Sequence, residues 1–147
     1  MIFIRTLLYG VSFFYDIISM VIFMTTNEIN VLVLAYIGDS IYEEYIRKYL
    51  VSTGISNVND LQKASIKYVS ATGQAKYITE MIDNGFLNDE ELNVFKRARN
   101  YKTTSHPKSC DIVTYKYATG LEAVIGYLEL ENKRERINEI MDFIISR

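Results

Sequence analysis

Proline, cysteine and histidine are almost absent from this chain, with one of each among 147 residues, and glycine is scarce at seven. So few turn formers exclude a turn-rich β sandwich or barrel. A single cysteine, Cys110, excludes a disulfide framework and a cysteine-based zinc site; it fits a reducing compartment, and the expected location is cytoplasmic. A single histidine, His106, excludes a His–His acid–base pair, a histidine-rich metal centre and an HExxH metalloprotease. Charge of one sign is lacking as well. The net charge is −2, so any surface for nucleic acid must be local. What the chain does have is apolar residues, 49% against 23% charged, enough for the packed core of one domain.

The apolar residues are unevenly spread. Thr6 to Met24 holds one charge, Asp16, among Leu7, Leu8, Phe13, Phe14, Ile17, Ile18, Val21, Ile22 and Phe23. As a helix this run would span about 28 Å, close to a bilayer core. Three readings of the stretch stand. A membrane anchor would carry Asp16 at a cost of about 2.5–3.5 kcal/mol. A secretory signal would use Arg5 but lacks an A-x-A-like cleavage site. A dispensable apolar extension would leave Met24 as the working start. The division expected is an apolar helical extension over 1–24 and one folded domain over 25–147.

From Met24 onward the periodicity is helical, and no alternation of β type persists beyond a few residues. Asn27 is expected to cap a helix running to Ser52, with Gly54 as its stop and Val31, Leu34, Gly38, Ile41 and Tyr45 on one face. A second helical stretch spans Asp60 to Ile82, with a break between Ser70 and Gly73, and Gly85 ends it. Asn88 and Glu91 form a capping box opening a helix to Arg99. Tyr101 to Cys110, which holds the only proline, reads as a loop. Asp111 caps a helix to Leu130. The last helix, Lys133 to Ile145, buries Ile137, Ile140, Met141 and Ile144.

Two acids sit in unusual company. Asp39 follows Gly38 in mid-helix, where both residue types are disfavoured. Gly38 therefore needs a reason, and close approach of a second backbone supplies one. Glu122 lies in Thr119-Gly120-Leu121-Glu122-Ala123-Val124-Ile125-Gly126, among small and apolar neighbours. Two helices with small residues beside an acid can bring both carboxylates to one point. Such a pair suits Mg²⁺, which takes one or two carboxylates and fills its shell with water and substrate phosphate. The competing reading makes each acid a solvated helix residue or part of a helix-cap pair. The other signal is basic. Leu92 to Cys110 contains Lys96, Arg97, Arg99, Lys102 and Lys108 and no acid, and Lys116 follows. Interleaved Asn100, Tyr101, Thr103, Thr104 and Ser105 would add donors for phosphate oxygens. An ordinary solvated loop is the alternative.

The run Leu34-Ala35-Tyr36-Ile37-Gly38-Asp39-Ser40-Ile41-Tyr42-Glu43 resembles the signature helix of the ribonuclease III catalytic domain. The segment Thr119 to Gly126 resembles that domain's second acidic motif, and their order and separation agree. Tyr68-Val69-Ser70-Ala71, Gln74-Ala75 and Arg97-Ala98-Arg99-Asn100 are similar to segments of the Mini-ribonuclease III branch, which lacks a double-stranded-RNA-binding domain. The resemblance covers Thr25 to Arg147. It implies an all-α, ribonuclease III-type homodimer cutting double-stranded RNA with Mg²⁺ and leaving 5′-phosphate and 3′-hydroxyl ends. For the Mini branch it implies maturation of 23S ribosomal RNA ends, with ribosomal proteins or the pre-50S particle as further partners. By position, Asp39 and Glu122 are the catalytic and metal residues; Arg97, Arg99, Asn100, Lys102, Lys108 and Lys116 are the RNA-binding set. Val31, Leu34 and Ile41 are expected at the subunit interface. Two acids of classical members are replaced, by Ala35 and by Thr119. A catalytically weak RNA-binding or ribosome-assembly factor of the same fold is the alternative, and a small membrane-anchored adaptor rests on residues 1–23 alone.

Overall fold

The computed structural model describes residues 26–103 and 106–147; the apolar extension, Thr104 and Ser105 lie outside the described residues. Six helices make up the described chain: α1 (Val31–Ser52), α2 (Val58–Val69), α3 (Ala71–Asp83), α4 (Asp89–Arg99), α5 (Ile112–Leu130) and α6 (Arg134–Ile145). No strand occurs among the described residues. None of these helices is long and apolar enough to cross a membrane.

The ends follow local chemistry. Asn30, not Asn27, caps α1, its side chain accepting from the Leu32 N–H at 2.9 Å. The offset has a physical cause: several polar residues precede the helix, and capping preference alone does not rank two asparagines three residues apart. The expected long second stretch is two helices. Ser70 ends α2, where its N–H donates to the Ile66 carbonyl. It also starts α3, where its hydroxyl accepts from the Gly73 N–H at 3.1 Å. The Asn88–Glu91 capping box is present in α4. Asp111 caps α5 by accepting from the Val113 and Thr114 N–H groups, at 2.9 and 3.0 Å.

Helix α5 is the centre of the molecule. Apart from Glu122, every residue from Ala118 to Leu128 is buried, as befits a helix covered on all sides. Around it pack α1, α3 and α4, with α6 closing the core through Ile137, Ile140, Met141 and Ile144. The apolar face of α1 that the sequence assigned to a subunit interface is spent inside the subunit. Val31, Leu34 and Ile41 are all buried in the protein's own core because α5 lies across them. The large apolar residues that α1 leaves exposed are Leu32, Val33 and Tyr36 near its start, the last 82% accessible, and Val51 near its end.

A polar clamp fixes α4 to α6. Glu91 is fully buried and accepts from Arg136 at 2.8 and 3.1 Å, while the same guanidinium donates to the Phe86 carbonyl at 2.6 Å and lies over the Phe86 ring. The second oxygen of Glu91 also closes the capping box at Asn88. Burial of this carboxylate is thus matched by a full set of donors.

Candidate active site

The two acids come together because two glycines let α1 and α5 touch backbone to backbone. A Cβ on Gly38 would lie 1.7 Å from the Glu122 carbonyl oxygen and 2.7 Å from the Gly126 nitrogen. A Cβ on Gly126 would lie 1.9 Å from the Leu34 carbonyl oxygen. No other residue fits at either position without moving a main chain. The crossing puts Asp39, next to Gly38, beside the turn of α5 that carries Glu122.

The electrostatics report their proximity. Glu122 is half-buried, and its pKa is pushed from the ordinary 4.5 up to about 7. Burial is the main cause and the Asp39 charge the next; a hydrogen bond from Gln74 pulls it part of the way back. Asp39 stands at the rim, and its pKa is also raised, by partial burial and then by Glu43, against the opposing pull of Arg47. Tyr42, buried beneath the site, donates its hydroxyl to the Tyr68 carbonyl at 2.9 Å and is held un-ionised by burial and by surrounding charge that includes Glu122.

The donor set suits a hard, hydrated cation. Two carboxylates with raised pKa values are under-neutralised, so a divalent ion at their meeting point relieves the repulsion. Ala35 and Thr119 are both buried, and the Thr119 hydroxyl donates to the Tyr115 carbonyl at 3.0 Å, so neither contributes a carboxylate. Among the described residues no group of three or more His, Cys, Asp or Glu side chains gathers closely enough to hold a metal by itself. Mg²⁺ fits this arrangement because it keeps most of its water and needs few protein ligands.

The basic residues divide by environment. Lys102 and Lys108 are exposed, as is Asn100. Arg99 lies against the Phe95 ring, 5.7 Å from its centroid, and donates to the Asn100 side chain. Lys116 is half-buried on α5, beside a small cleft lined by Tyr101, Tyr115 and Thr119. Arg97 is half-buried and donates to the Ile29 carbonyl at 3.3 Å, which ties α4 to the segment ahead of α1. His106 is an exposed loop residue and Cys110 a half-buried thiol.

Two neighbours of the acids lie within the family-like segments but were given no role by the sequence. Gln74 is buried and donates to Glu122. A polar side chain four residues after the Ser70 cap, in an otherwise small and apolar turn, was the available signal. Glu43 follows Asp39 by one helical turn and pairs with Arg47. Its signal was masked by the ordinary i,i+4 spacing of a solvated ion pair.

Known proteins supply the context for this geometry. The family model described as the Ribonuclease III domain matches residues 32–133, which enclose both acids. Mini-ribonuclease 3 of Enterococcus faecalis is 42% identical, over 82% of this chain and 92% of its own length. Mini-ribonuclease 3 of Clostridium tetani is 47% identical, over 82% of this chain and 79% of its own. A crystal structure of a Fusobacterium nucleatum protein, 37% identical, superposes with a TM-score of 0.73 and covers 83% of this chain and 96% of that one. Acidic motifs, helical frame and relatives agree: this chain belongs to the ribonuclease III family of endoribonucleases, in its Mini-ribonuclease III branch.

Proposed function

We propose that the protein is a Mg²⁺-dependent endoribonuclease that cuts double-stranded RNA in the maturation of 23S ribosomal RNA ends, acting as a cytoplasmic homodimer. The observation carrying this reading is the meeting of Asp39 and Glu122 across the Gly38–Gly126 crossing, with both pKa values raised. A Mg²⁺ ion held there by Asp39 and Glu122 would supply Lewis-acid polarisation of the scissile phosphate and lower the pKa of a water for in-line attack, consistent with 5′-phosphate and 3′-hydroxyl ends. Asp39 and Glu122 provide its protein ligands, and Gln74 holds the Glu122 carboxylate in place. No side-chain nucleophile takes part.

RNA is gathered by the loop between α4 and α5. Lys102 and Lys108 reach solvent and Asn100 adds an amide, while the half-buried Arg99, Lys116 and Arg97 complete the basic set. Duplex RNA is recognised through shape, phosphates and 2′-hydroxyls, which suits such a set. Leu32, Val33 and Tyr36 give α1 the exposed apolar strip that a second subunit would cover, placing two sites across a duplex. Ribosomal proteins or the pre-50S particle would meet the same enzyme on its substrate. Residues 25–147 are sufficient for catalysis.

The test uses long duplex RNA and a 23S precursor carrying its flanking stem, incubated with the full chain and with a Met24-start version. Both proteins should cut with Mg²⁺ and stop in excess chelator, and the precursor should be trimmed within its stem. Asp39→Asn should bind RNA and leave it whole, with an unchanged helical signal. Cleavage by Asp39→Asn at the normal rate, or tight binding without cleavage by the native protein, would overturn the reading; the latter result describes an assembly factor.

A further inference from the structure

The metal site just described has two protein carboxylates where classical relatives have four, and a third acid stands beside it without a role. Glu43 lies one turn beyond Asp39 on the same face of α1. Its negative charge acts on both Asp39 and Glu122, raising the pKa of each. Its side chain is 37% accessible, and with Asp39, Ser40, Glu44, Arg47 and Lys48 it borders a hollow of about 490 Å³. An acid this near the site is not there to balance charge among the acids, since it adds to the repulsion. It is instead held by Arg47, one further turn along, whose guanidinium donates to its carboxylate. Arg47 also lowers the pKa of Asp39. One cation therefore offsets part of the negative charge at the rim, while its own side chain is 74% accessible and free to leave.

The geometry points to Glu43 as an outer-sphere acid of the metal site, accepting hydrogen bonds from the water shell of the bound cation, with Arg47 as the protein's own competitor for that carboxylate. The inference rests on the metal reading of Asp39 and Glu122. Glu43 does not close a three-acid cage with them, so a water-mediated role is the one its position allows. Mg²⁺ favours such contacts because it gives up water reluctantly. Carboxylates that hydrogen-bond the ligands of a metal commonly alter its affinity about 10–100-fold. Here the effect would compensate in the second layer for acids lost from the first, at Ala35 and Thr119. Arg47 makes the cost of an empty site smaller, and it must yield Glu43 when the cation arrives.

The two residues should act on the cation with opposite sign. Mg²⁺ alone is titrated into the RNA-free full-length protein by calorimetry, and the Mg²⁺ needed for half-maximal cleavage is measured separately. Glu43→Gln should weaken Mg²⁺ binding and raise the half-maximal Mg²⁺ about tenfold, with kcat at saturating Mg²⁺ within about threefold of normal. Glu43→Asp should fall between the two. Arg47→Gln should tighten Mg²⁺ binding about threefold, because a competing charge has gone. A purely structural pair on this exposed helix face would move neither titration. Asp39→Asn is the reference. If it loses Mg²⁺ binding while Glu43→Gln does not, the role of Glu43 is refuted and the metal site stands. If neither variant alters Mg²⁺ binding, the metal reading itself fails. Weaker binding by Arg47→Gln would refute the competition.

Discussion

Glu122→Gln should make the metal-free protein more stable while it destroys the enzyme. Glu122 carries an ordinary carboxylate pKa of 4.5 in the unfolded chain and about 7 in the fold. The folded state thus binds the proton more tightly, and ionising Glu122 works against folding. The penalty is absent below about pH 4.5, where both states are protonated, grows between 4.5 and 7, and is complete above about 7. The gap between the two values corresponds to about 3 kcal/mol. Water at the rim beside Asp39 screens the half-buried carboxylate, so about 1–2 kcal/mol is the expected gain. Glutamine keeps an oxygen to accept from Gln74 and removes the repulsion with Asp39 and Glu43. For a domain of this size the gain amounts to about 4–8 °C in Tm at pH 8. The assay is thermal unfolding followed by circular dichroism, in chelator, at about pH 5 and pH 8. The variant's advantage should be large at pH 8 and mostly gone at pH 5. Added Mg²⁺ should then stabilise the native protein and leave the variant unmoved, closing the gap. An advantage equal at both pH values, or no advantage at pH 8, would refute the electrostatic account of Glu122.

Three further outcomes are expected. Gly126→Ala forces a methyl group to within 1.9 Å of the Leu34 carbonyl, so it should cost about 3 kcal/mol or more in denaturant unfolding and abolish cleavage; native-like stability would disprove the backbone contact. Arg136→Met strands the buried Glu91 carboxylate and should cost about 3–5 kcal/mol by the same measurement, with a loss under 1 kcal/mol counting against the clamp. Lys102→Glu with Lys108→Glu should weaken RNA binding and reduce its salt slope by about 2, one per phosphate contact, whereas Arg97→Ala should lower Tm more than RNA affinity; an unchanged slope in the double variant would remove that loop from the RNA surface.

Much of this molecule is legible in one dimension. Asp111, the Asn88–Glu91 box and the stripe of Ile137, Ile140, Met141 and Ile144 are each specified by residues within a few positions of one another, and each stands where local rules put it. Gly38 was legible for a different reason. A glycine in the middle of a good helix is costly enough to imply a neighbour, and the neighbour is the main chain of α5. What escaped depends on distant partners. An apolar face does not say who covers it, so Val31, Leu34 and Ile41 pointed outward to a second subunit although α5 covers them. A cation does not say what it meets: Arg97 reaches the Ile29 carbonyl 68 positions away, and Arg136 reaches Glu91 across 45. The acids Asp39 and Glu122 were found through their odd surroundings, but Gln74 and Glu43 look ordinary in sequence and gain their interest only from the fold.

The glycine contact between α1 and α5 also separates two things that most enzymes tie together. Where catalytic groups are spaced by packed side chains, every change in the core retunes the active site. Here the spacing between the helices at Gly38 and Gly126 is set by carbonyl and amide groups, which no substitution elsewhere can resize. Apolar side chains deeper in the core, such as Ile137, Ile140 and Ile144, can accordingly be exchanged for others of similar volume with little effect on how the carboxylates are aligned. The alignment of the site should therefore depend less on the apolar core than on Gly38 and Gly126, two residues that have no side chain at all.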